Sequence, residues 1–167
     1  DGVNILVMGT VVKAATGCLC PENTLLDAVM RHINLREGEI ILMDTQAGVE
    51  HFGRALAKGF NQAILVADPT YNAVQVVKHA AELARELEIP DIHLVVNRVR
   101  SPGDISRVDR LLADYEGYFS GKFYIPYDEM MLLYDPDVRP MLDEQSDFVD
   151  GVRELLISLE MHGLMRA

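Results

Sequence analysis

A chain of 167 residues, 49% of them apolar, is long enough for one domain with a buried core; Trp is absent and aromatics make up 7%, so aliphatic side chains must fill it. A formal net charge of −11 with scattered Lys and Arg weighs against nucleic acid and against an anionic membrane surface, both of which need clustered basic charge. No run approaches the roughly 18–20 unbroken apolar residues of a membrane span, which points to a soluble protein.

The chain opens at Asp1 without an initiator Met and leads at once into an apolar run over residues 3–8. That start predicts a chain whose front lies elsewhere, and shows no leader or transit-like segment. Next comes Gly17-Cys18-Leu19-Cys20-Pro21-Glu22-Asn23. Pro21 suits the first position of a helix, which places Cys20 at or near its N-cap, where the dipole favours thiolate. Two thiolates one residue apart supply half of a four-coordinate site, and a second copy across a two-fold axis would complete it for Zn²⁺ or Ni²⁺. An inert or redox-active pair is the other reading. With only these two cysteines, a disulfide scaffold is excluded and a reducing cytoplasm is expected.

Further apolar runs follow at residues 40–43, 63–67, 92–96 and 123–125. Their consecutive apolar residues suit strands covered on both faces. Between them, residues 71–87 carry one apolar stripe (Ala73, Val74, Val77, Ala80, Ala81, Ala84, Leu87) and predict an amphipathic helix ended before Pro90. Residues 146–159 repeat the pattern through Phe148, Val149, Val152, Leu155, Leu156 and Leu159, with Ser146 as N-cap. Residues 134–146, with two prolines and four acidic residues, read as a surface excursion. Met130 and Met131 read as core filler. The alternation predicts a three-layer α/β fold around a mostly parallel sheet, in a single domain spanning 1–167.

Ligands of such sheets gather beyond the carboxyl ends of the strands. There the chain places Asp44-Thr45-Gln46-Ala47-Gly48, Asp68-Pro69-Thr70, Asn97-Arg98 and Pro126-Tyr127-Asp128. An Asp at a strand end can order a Mg²⁺ shell or a water, and a Gly four residues on lets backbone approach a phosphate. The Asn97 amide can serve a purine edge, or form an ordinary Asx turn. His32 and His51 carry no such pattern.

Together, the G-C-x-C-P-E-N stretch at 17–23 and Asp44 with Ala47-Gly48-Val49-Glu50-His51-Phe52-Gly53-Arg54 resemble the CooC-type nickel-insertion ATPases of the MinD/ParA-like P-loop class. Val95-Val96-Asn97-Arg98 and Ile125-Pro126-Tyr127-Asp128 resemble the wider class's base-recognition segments. The resemblance runs from about residue 4 to about residue 160. It implies an ATP-dependent nickel chaperone for carbon monoxide dehydrogenase or a related nickel enzyme. Asp44 and Gly48 would be the catalytic switch residues, and Asn97, Arg98, Pro126 and Tyr127 would hold the base of ATP or ADP with Mg²⁺. Cys18 and Cys20 would bind Ni²⁺ or Zn²⁺ shared across a homodimer. It also implies that these residues are the C-terminal two-thirds of the ATPase domain. The G-K-G-G-x-G-K-T phosphate loop is not among them, and Gln46 stands where the family has Glu. The chain alone is therefore expected not to hydrolyse ATP. Other readings are a partitioning or positioning ATPase of the ParA/MinD type, which leaves the cysteine pair unexplained, and a non-catalytic binding module derived from this fold.

Overall fold

The computed structural model describes residues 3–7, 28, 32–33, 38–45 and 59–164. The chain divides into two compact units, Asp1–Gln46 and Ala47–Ala167.

Among the described residues of the second unit, three strands alternate with helices. Strand β1 (Gln62–Ala67) leads to helix α1 (Tyr71–Glu86), then β2 (Asp91–Val99), helix α2 (Pro102–Leu111) and a 3₁₀ turn at Ala113–Tyr118. Strand β3 (Gly121–Pro126) is followed by a short helix α3 (Met130–Tyr134), a second 3₁₀ turn at Arg139–Asp143 and helix α4 (Asp147–Leu164). The sheet runs β1-β2-β3 with both pairs parallel. This is the α/β architecture that the alternation of runs predicts.

Burial explains the arrangement. In β2, residues 91–96 are buried without a break, as expected of a central strand covered on both faces. Helix α1 buries Val74, Val77, Ala80, Ala81 and Ala84, a stripe at helical spacing that packs with Leu65, Ala67, Leu94 and Val96. Small residues on that stripe let helix and sheet approach closely. Its N-cap is Thr70, whose hydroxyl accepts the Ala73 N–H at 3.3 Å. Helix α2, absent from the sequence reading, opens with Ser101, Pro102 at N1 and a capping box closed by Asp104. Val108 and Leu112 drive this segment into the core.

On the other side, α4 packs on β3, where Gly151 lies against Ile125. Ser146 caps it as expected, its Oγ accepting from Phe148 N at 3.1 Å and Val149 N at 3.4 Å. The Gln62 amide donates to Leu159 O at 2.8 Å, so the far end of α4 reaches the start of β1. The apolar stripe read as one buried face is divided. Val149 is buried, whereas Val152 and Leu156 are exposed. Among the described residues the sheet beneath the helix is three strands wide, and a helix crossing those strands covers less than the full stripe. The segment at 134–146 is also less peripheral than its composition suggests, because Met141 is buried at 2% exposure.

The first unit corrects two expectations. The described part of the first run, residues 3–7, and the second run, residues 40–43, adopt no regular secondary structure where strands were expected, and Ile40 (85%) and Leu42 (83%) are exposed. A run of this kind becomes a strand only when neighbours supply both its hydrogen bonds and its cover. The described residues give these runs no strand partner.

Candidate functional site

The carboxyl edge of the sheet is built from the exits of β1, β2 and β3. Asp68, Pro69 and Thr70 lead from β1 into α1, and Thr70 N donates to Asp68 O at 2.7 Å in a tight turn. At the exit of β2 the register slips. Val96 pairs with Tyr124 and Val99 with Pro126, so Asn97 and Arg98 stand opposite Ile125 alone. This is a β-bulge, and Arg98 absorbs it with φ of 59°. A non-glycine residue in the left-handed region costs backbone energy, and such positions concentrate at functional sites.

The bulge has two local consequences. Asn97 turns its Oδ1 back to accept from Arg98 N at 2.9 Å, leaving its two amide N–H groups to face other partners. Arg98 reaches across the ends of two strands to Asp68, Nη1 to Oδ2 at 3.4 Å. Beside it, Tyr127 N donates to Val99 O at 2.9 Å, which holds Pro126-Tyr127 against the end of β2. The Arg100 guanidinium lies over the Tyr127 ring, 3.9 Å from its centroid.

Asp128 anchors the same loop. Its carboxylate accepts from Met130 N at 2.9 Å and from Ser146 Oγ at 2.5 Å. These bonds, the Ser146 hydroxyl foremost, hold its carboxyl below the usual range. Ser146 thus joins the Pro126-Tyr127-Asp128 loop to the first turn of α4. Sequence reasoning named Asp128 as part of a motif but gave no hint of this partner, eighteen residues away.

Asn97, Arg98, Pro126 and Tyr127 are therefore brought together on adjoining strand ends. A half-buried amide, a proline and a tyrosine ring fit the base of a nucleotide: polar groups for its edge and flat surfaces for its faces. Asp44 is exposed, lies in the first unit and sits in no regular element. Gly48, Cys18 and Cys20 lie outside the described residues. Among the described residues, no three His, Cys, Asp or Glu side chains gather at a spacing that would hold a metal ion. No described helix is long and apolar enough to cross a membrane.

One feature of the edge went unread in the sequence. A cleft of about 360 Å³ is lined by Asp68, Pro69, Thr70, Arg98, Arg100, Asp104 and Arg107. Arg107 spans it, with Nη1 donating to Pro69 O at 3.0 Å and Nη2 3.2 Å from Asp104 Oδ1. The other oxygen of Asp104 accepts from Arg100 N, Ser101 N and Ser101 Oγ at 3.0, 3.1 and 3.3 Å. The Arg100 backbone N–H is the first cause that keeps the Asp104 carboxyl below its usual range. The spacing of Arg98, Arg100 and Arg107 around a Ser-Pro-x-Asp helix start was the available signal.

No family model matches the chain. Among curated proteins, it is 34% identical over 134 residues to the carbon monoxide dehydrogenase accessory protein CooC of Rhodospirillum rubrum, covering 80% of this chain and 49% of that protein. It is 32% identical over 130 residues to an uncharacterized ATP-binding protein of Methanocaldococcus jannaschii, covering 78% and 50%. A further ATP-binding protein of that organism is 28% identical over 156 residues, covering 91% and 59%. The chain spans about half the length of the curated relatives it matches. It is a CooC-like sequence, related to ATP-binding proteins, as its motifs imply.

Proposed function

We propose that this CooC-like chain is part of an ATP-dependent nickel chaperone acting in the cytoplasm on carbon monoxide dehydrogenase or a related nickel enzyme. The observation that carries the reading is the strained exit of β2. Asn97 and Arg98 are extruded by a bulge beside Pro126 and Tyr127, at the edge where parallel sheets bind ligands, in a sequence similar to CooC. Asn97 would present its amide N–H groups to the acceptor edge of adenine, and Pro126 and Tyr127 would flank the ring. Asp128, tied to Ser146, would keep that loop in place.

ATP with Mg²⁺ would supply the driving force for the metal cycle. Asp44 would orient the Mg²⁺ shell or the attacking water, and Gly48 would sense the terminal phosphate. Both assignments rest on the motif at 44–54. Cys18 and Cys20 would hold the nickel cargo, or Zn²⁺ in its place, together with the same pair from a second copy. A phosphate loop of the G-K-G-G-x-G-K-T kind is not among these 167 residues, so the chain by itself is expected not to hydrolyse ATP.

Anaerobic titration with Ni²⁺ and Zn²⁺, read by native mass spectrometry, tests the metal half of this reading. The expected result is one metal per two chains, lost in a Cys18→Ser/Cys20→Ser variant. Binding that persists in the variant would overturn the shared thiolate site.

A further inference from the structure

The cleft between the exits of β1 and β2 is not accounted for by the base corner or by the cysteine pair. Its lining carries three guanidinium groups and two carboxylates in a chain whose formal charge is −11. The carboxylates are unequal. Asp104 is committed to the first turn of α2 and to Arg107, and its side chain is 13% exposed. It acts as a strut that aims Arg107. Asp68 is held loosely, by one long contact of 3.4 Å to an Arg98 that is itself 65% exposed. Arg100 pairs with no carboxylate among the described residues; its guanidinium rests on the Tyr127 ring, and the residue lines the cleft.

We propose that this cleft binds the phosphoryl group of a small molecule, with Arg98, Arg100 and Arg107 as its ligands and Asp68 as the group displaced on binding. Guanidinium forks match phosphate oxygens in pairs, and three converging on one cleft make little sense as isolated surface ion pairs. The first turn of α1 begins at the cleft, at Thr70, and adds the positive end of one helix dipole, whereas the first turn of α2 is already capped by Asp104. At about 360 Å³ the space exceeds a bare phosphate and falls within the range of small-ligand pockets. The group can come from a free phosphorylated metabolite or from a nucleotide seated with its base on Tyr127. Only the second source rests on the nucleotide reading.

The test follows the arginine Nε–Hε resonances of the 167-residue chain by NMR, titrating inorganic phosphate against sodium chloride at matched ionic strength. Saturable shifts at Arg98, Arg100 and Arg107 are expected. Arg100→Gln, which breaks no protein hydrogen bond of that side chain, should weaken binding at least tenfold. Asp68→Asn should tighten it several-fold, a gain that a misfolded variant cannot imitate. Shifts that never saturate, or binding that Asp68→Asn leaves unchanged or weakens, would overturn the site and leave general screening. Two arms identify the source. AMP that binds together with phosphate indicates a free phosphorylated ligand, whereas AMP that excludes phosphate indicates the nucleotide's own; either keeps the cleft as a phosphoryl site. Adenosine that leaves the Tyr127 ring unperturbed counts against the base corner alone.

Discussion

At the scale of single residues, two aspartates hold the edge of the sheet together by different means. Asp104 closes the first turn of α2, and Asp128 links the loop after β3 to the first turn of α4. Both titrate below their ordinary value because backbone N–H and hydroxyl groups bond their charged forms. A depressed folded-state pKa means that the stabilisation is complete above the ordinary Asp value of about 3.9 and is lost as pH falls through the lower folded value. The amides of Met130, Phe148 and Val149 should therefore be protected from hydrogen exchange at neutral pH and lose protection below that window. In Asp128→Asn, protection at neutral pH should already be reduced and its pH dependence flattened. An unchanged acid profile in that variant would show that Ser146 caps α4 without Asp128. The bond from Ser146 to Asp128 was not visible in the sequence, because a hydrogen bond between residues eighteen apart depends on the helix being docked first. What the sequence did show was position: Asn97 and Pro126-Tyr127 were legible as strand-end residues because the apolar runs end just before them.

At the scale of elements, two glycines that look alike in sequence have opposite surroundings. Gly121 starts β3, where an added Cβ would lie 2.9 Å from the Phe123 ring and 3.2 Å from Nδ1 of the fully buried His93. Gly151 sits inside α4, where an added Cβ would meet Ile125 Cγ1 at 3.5 Å, ordinary van der Waals contact. Gly121→Ala should cost about 1–3 kcal/mol through overpacking. Gly151→Ala should gain about 0.5–1 kcal/mol, because glycine is a poor helix former and the packing has room. Urea denaturation of both variants checks the pair of signs, and a loss in Gly151→Ala would mean that α4 lies closer to β3 than the structure shows. Element by element, legibility followed burial. β2 and α1 were readable since continuous apolar residues and a helical stripe are both consequences of full cover. Helix α2 was overlooked because its stripe is thin, with Val108 its one buried residue, although Ser101-Pro102-Gly103-Asp104 carries a complete start signal. The bulge at Asn97-Arg98 leaves no trace in hydropathy, since both residues are polar on either side of the slip.

At the scale of the molecule, the same burial logic marks what the fold leaves open. Among the described residues β1 pairs with β2 alone, and no described strand lies along its other edge. Its two faces also differ. Leu65 and Ala67 are covered by α1, whereas Ile64 and Val66 (62% exposed) lie on the face that α4 leaves bare between β3 and Gln62. The strand reads Gln-Ala-Ile-Leu-Val-Ala, without a charge, a proline or a glycine to discourage pairing. Edge strands of this type recruit further strands unless a charge or a bulge blocks them. The 167-residue chain should therefore self-associate in a concentration-dependent way. Val66→Lys should reduce that association without unfolding the unit, because the lysine enters solvent-facing space rather than the core. Sedimentation velocity across a tenfold concentration range reads the association, and circular dichroism confirms that the fold is kept. If the wild-type chain stays monomeric throughout, β1 has its edge and its bare face covered by the chain itself. If both proteins associate equally, the contact lies elsewhere, and the exposed Leu156, Ile157 and Met161 on α4 are the next apolar surface to change. Either way the result separates the copy-to-copy contact of an open sheet from the metal-dependent pairing expected of Cys18 and Cys20, since the first needs no metal and the second does.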